Sequence, residues 1–126
     1  MDKKGLIHVI TQEGTEVEMR EPVISFKFKG ISILCIFDVN ADRMRFISAI
    51  AERSEISSAM LEQAMSANFH SALDARYCIS NDIVYSAFIH PLGSLTHDFA
   101  ASAISQVASA AATFGDEYTG GTYVFG

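Results

Sequence analysis

The sequence predicts an α+β fold: an antiparallel five-stranded sheet with flanking helices, in the order α-β-β-β-α-β-β-α. Three observations carry this expectation. Val23–Ile50 alternates apolar and polar residues through three consecutive runs whose turns agree in register. A second pair of β-favouring runs surrounds Ser80-Asn81-Asp82. Phe99, Ala103, Val107, Ala110 and Phe114 recur at helical spacing after the second pair.

From the amino terminus, Leu6, Ile7, Val9 and Ile10 lie among polar residues with Gly14 placed as a C-cap, which suggests a helix over Lys3–Glu13. The β-favouring Ile-His-Val-Ile centre of that stretch makes a strand the competing reading. Thr15–Arg20 alternates Val17 and Met19 with charged residues and can lead in as an edge strand outside the five counted, with Pro22 interrupting the ladder before the meander. A two-residue turn at Lys29-Gly30 sets Phe28 against Ile31, Phe26 against Ile33 and Ile24 against Cys35. A four-residue turn at Val39–Asp42 then sets Asp38 against Arg43, Phe37 against Met44 and Cys35 against Phe46. One face of all three strands is therefore apolar.

Helical spacing over Ser54–Phe69 gives a second helix, with Ser54 or Ser57 as its N-cap. Strands follow at Ala72–Ile79 and Ile83–Ile89. A third helix, capped by Ser94 or Thr96 and carrying Asp98 in its first turn, runs to Gly115. Residues 1–115 form one domain on this reading, and the Gly-, Thr- and Tyr-rich Asp116–Gly126 is expected to be a flexible tail.

Composition narrows the function. The 126 residues are 49% apolar and 19% charged, as in a globular domain, and the net charge of −6 opposes a phosphate-tracking surface. No nucleic-acid partner is expected. No apolar run is long enough for a secretory or membrane segment, and Cys35 and Cys78 form no CxxC pair, so a cytoplasmic location with two reduced thiols is the expectation. His90, His97 and Asp98 match no metal-ligand spacing. Cys78 lacks the flanks of a catalytic thiol, and Gly120-Gly121 lacks the context of a phosphate loop. No catalytic, metal or cofactor residue is assigned, and an enzyme is not expected.

The candidate surfaces are of two kinds. Leu34, Ile36 and Ile47 fall on the face opposite the aromatic one, among Arg20, Lys27, Lys29, Arg43 and Arg45; apolar residues rimmed by charge mark a protein-binding surface unless a helix of the same chain covers them. Met60 and Met65 on the second helix offer an adaptable protein-binding row. Arg43 and Arg45 are a candidate anion site, which defines the alternative function of a regulatory domain that senses a small anion or metabolite.

Gly14-Thr15-Glu16-Val17-Glu18 leading into Ile24–Gly30, then Ile33–Asp38 and Arg43–Ile50, resembles the type III secretion chaperone-like fold and, within it, the YbjN-like bacterial proteins. Ile89-His90-Pro91-Leu92-Gly93-Ser94-Leu95-Thr96 is similar to the junction before the last helix of that group. The likeness spans about Leu6–Gly115. It implies a non-enzymatic module, chaperone-like or regulatory, that forms a homodimer and binds a partner protein.

Overall fold

The computed structural model describes residues 1–121. Ten elements follow one another: α1 (Lys3–Glu13), β1 (Thr15–Arg20), β2 (Val23–Phe28), β3 (Ile31–Asp38), β4 (Arg43–Glu52), a 3-10 turn (Arg53–Glu55), α2 (Ser58–His70), β5 (Arg76–Ser80), β6 (Ile83–His90) and α3 (His97–Ala112). The strands form one antiparallel sheet in the order β1-β2-β3-β4-β6-β5.

The meander pairs as its alternation requires, with Ile24 opposite Cys35, Phe26 opposite Ile33 and Cys35 opposite Phe46. Lys29 and Gly30 both take positive φ, the conformation that a tight hairpin turn needs, and Asn81 and Asp82 do the same between β5 and β6. The sheet has six strands rather than five. Thr15–Arg20 is a full strand paired to β2, because Glu21-Pro22 occupies the turn between them, where a proline costs no ladder hydrogen bond. A bulge between Thr15 and Glu18, with Glu16 at positive φ, interrupts that outer pairing.

Helix ends follow their caps. Asp2, Ser57 and Thr96 each accept a backbone N–H of the first turn through the side chain. Ser54 therefore lies in the 3-10 turn, and α2 begins after Ser57. The fifth strand starts at Arg76 instead of Ala72, since Ala72 N–H donates back to Ala67 and the Asp74 and Ala75 N–H groups donate to Gln106 Oε1 of α3. The last helix ends at Ala112, where Thr113 caps it through its N–H to Ser109.

Helices α1 and α3 cover one sheet face. Leu6, Val9 and Ile10 of α1 and Ala100, Ala103, Ile104 and Val107 of α3 close over Ile24, Phe26, Ile33, Cys35, Phe37, Met44, Phe46 and Phe88. Phe46 packs edge-on to Phe26 and stacks on Phe88. Polar groups within this layer are paired: Ser86 Oγ donates to Val107 O at 2.7 Å and Tyr77 Oη to Ala110 O at 2.6 Å. Residues 116–121 of the expected tail turn back onto α2 and α3. Tyr118 is buried against Tyr77 and Phe114, and its carbonyl accepts from Ser71 Oγ at 2.5 Å. The remainder of that segment, 122–126, lies outside the described residues.

Candidate protein-binding surfaces

Because side chains alternate, the strands that build the core also display a second, outward face. The register orders it into rows across the sheet. One row reads Arg20, Val23, Ile36, Arg45, Ile89; the next reads Glu18, Ser25, Leu34, Ile47, Ala87, Arg76. Leu34 is 40% exposed and Ile89 57%, while Ile36 and Ile47 are half-buried by their neighbours. The main helix packing lies elsewhere, α1 and α3 on the opposite face and α2 along β5. Leu34, Ile36 and Ile47 are thus brought together into one apolar band.

Of the cations expected beside that band, two are engaged. Lys27 pairs with Glu16 at 3.3 Å, and Lys29 stands in the turn with its Nζ over the Phe28 ring. Arg20 and Arg45 make no ion pair among the described residues, and Arg43 donates to the neighbouring Asp42 carbonyl at 3.2 Å. Arg43 and Arg45 do share one open groove of about 440 Å³ with Glu21, Pro22, Ile36 and Asp38. Its carboxylates have their own partners: Glu21 pairs with Lys3, and Asp38 accepts from Ala41 N–H.

A second surface lies where α2 meets the outer edge of β5. Asn68 bridges them: its side-chain amide accepts from Tyr77 N–H at 2.7 Å and donates to Tyr77 O at 3.0 Å. The amide thereby satisfies the outward N–H and C=O of Tyr77 as a neighbouring strand would, and among the described residues no side chain does the same at β1. Nothing in the sequence around Asn68 marks this role, since the pairing spans elements with no local signature. Beside the bridge, Leu61, Ala64, Met65, Tyr77, Cys78, Ile79 and Val84 line an almost wholly apolar cleft of about 300 Å³. Met65 at its rim is 67% exposed, and Phe69, one turn on, is 87% exposed. Met60 belongs elsewhere: it is half-buried, and its methyl lies over Gly115.

The titratable groups here are structural. Burial pushes the Cys35 thiol and the Tyr77 phenol up to about 12, and burial also raises the Cys78 thiol, against the opposing pull of the Arg45 charge. Both cysteines are free thiols. His97 bonds Gln12 of α1 through Nε2, and His90 bonds the adjacent Pro91 carbonyl, so the two serve local packing.

No family model matches the sequence, and no curated protein matches it. Solved structures do. A chain of the ExsC–ExsE complex superposes with a TM-score of 0.64 at 14% identity, covering 88% of this chain and 92% of that one. A chain of the HopA1–SchA chaperone–effector complex gives a TM-score of 0.64 at 9% identity, covering 90% and 97%. At such identities the likeness is one of fold. The class is the type III secretion chaperone-like fold, an antiparallel sheet with flanking helices.

Proposed function

We propose that this chain is a non-enzymatic, chaperone-like or regulatory protein-binding module of the cytoplasm, of the YbjN-like branch of its fold, acting as a homodimer. The observation that supports it is the outward sheet face, where Leu34, Ile36, Ile47 and Ile89 stand in register without the helix layer that covers the inner face. An apolar band rimmed by charge on a small domain is the mark of a partner surface. Two of the structures it is similar to are complexes, one of them between a chaperone and its effector.

The two surfaces divide the work. In a twofold interface the same patch meets itself, so a face carrying Arg20, Arg43 and Arg45 brings like charges together. The α2–β5 surface, with Leu61, Met65, Phe69 and Ile79 around Ala64, has little charge to oppose and is the self-association surface. Met60, turned onto Gly115, supports this helix from within. The sheet face is left for the partner. Light scattering of the purified chain tests the division: the wild type and Leu34→Asp should both weigh two chains, and Phe69→Glu one. A monomeric wild type, or a Leu34→Asp monomer, would contradict it.

A second reading rests on the Arg43–Arg45 groove, which suits a small anion or metabolite in a sensing domain. Titration of the chain with phosphate, citrate and nucleotides, followed at the Arg45 amide, decides it.

A further inference from the structure

Taking the protein-binding reading as its basis, we infer that the partner segment seated on the outward sheet face is acidic, with carboxylates flanking an apolar side chain. On a chain of net charge −6, four of the five arginines, Arg20, Arg43, Arg45 and Arg76, project from this one face, and only Arg53 lies elsewhere. Arg76 is satisfied by the carbonyls of Leu73 and Ala75. Arg20 and Arg45 are not: among the described residues neither forms an ion pair.

Their positions fix the pattern they recognise. Both stand in a single row, with Val23 and Ile36 between them and Ile89 beyond. Arg20 is on β1 and Arg45 on β4, three strand spacings apart, which is about 14 Å at 4.7–4.9 Å each. An extended peptide covers that distance in about four residues, so carboxylates at positions i and i+4 reach the two guanidiniums while residue i+2 presses on Val23 and Ile36. Arginine suits this role because its fork bonds a carboxylate bidentately and stays charged at all ordinary pH. Nucleic acid fits the same cations less well, since the row between them is aliphatic and offers bases neither stacking rings nor hydrogen bonds.

The test is an amide-shift titration of the labelled full chain with the peptide Gly-Ser-Glu-Ser-Leu-Ser-Glu-Ser-Gly, with its Glu→Gln analogue, and with oligodeoxythymidine. The acidic peptide should shift Val23, Ile36 and Arg45, weaken with added salt, and bind about tenfold more tightly than the Gln analogue. Arg45→Gln and Arg20→Gln, both at exposed positions that leave the fold intact, should each remove most of that difference. Equal binding of both peptides at this face would overturn the acidic preference while leaving the protein-binding reading in place. Binding of the oligonucleotide through the same arginines would overturn the inference in favour of nucleic acid. No shift on this face with any probe would also overturn it, and the solution-mass experiment then judges the dimer separately.

Discussion

The two faces of the sheet are made by the same strands, with the same alternation, and meet opposite fates. Inward, Phe26, Phe46 and Phe88 interlock beneath α1 and α3 and are almost wholly removed from water. Outward, one residue further along each strand, Leu34, Ile36, Ile47 and Ile89 remain at the surface between arginines. The difference lies less in residue type than in what the rest of the chain was given to cover. Both helices with strong apolar stripes pack on one side, and α2 goes to the β5 edge instead of the second face. An aliphatic band retained where charge alone would keep the protein soluble is a surface kept for another molecule.

The contrast can be broken from the inside first. Phe46→Ala opens a void beneath two rings and should cost about 3–5 kcal/mol in denaturant unfolding. Leu34→Asp and Ile47→Asp, on the other face of the neighbouring pair, should shift stability by less than about 1 kcal/mol and still abolish partner capture. A large loss of stability in either would place those side chains in the core.

Alkaline pH should act most strongly on the inner face, with a smaller contribution from the Cys78 thiol at β5. Cys35 and Tyr77 have folded-state pKa values near 12, above their ordinary values of 9 and 10, so the folded chain holds their protons more tightly than the unfolded chain does. Stability is complete below pH 9 and falls as pH rises from about 9 to 12. Tyr77→Phe should flatten the upper part of that decline in melts taken across the range. Asn68→Ala removes the amide that imitates a strand at β5 and should cost about 1–2 kcal/mol, with faster hydrogen exchange at the Tyr77 amide. The smallest effect expected is Thr96→Ala, about 1 kcal/mol through the lost α3 cap, visible as a modest drop in melting temperature.

Much of this contrast can be read from the residues. The parity of Val23–Ile50 and the turn chemistry of Lys29-Gly30 set the pairing of β2, β3 and β4, and so place Leu34 and Ile47 on the face away from Phe26 and Phe46. Four features escape local reading in whole or in part. Thr15–Arg20 buries nothing, so its alternation resembles a lead-in until Pro22 is seen to stand in a turn. Ala72–Ala75 is apolar enough to read as strand, yet Gln106, over thirty residues later, ties its backbone into a loop. The arginine row is only half legible: register joins Val23, Ile36 and Arg45, whereas Arg20 and Ile89 enter it through the β1–β2 and β4–β6 pairings. The α2 surface depends on a helix position that alternation within strands does not encode.

The central claim is that the outward sheet face is open in the free protein. It is tested most directly by methyl NMR of the isolated chain with a soluble paramagnetic probe. The Leu34, Ile47 and Ile89 methyls should broaden strongly, and those of Ile24, Ile33 and Ile104 should stay sharp. Equal protection of both sets would show that the outward face is covered, and would contradict its assignment as the partner surface.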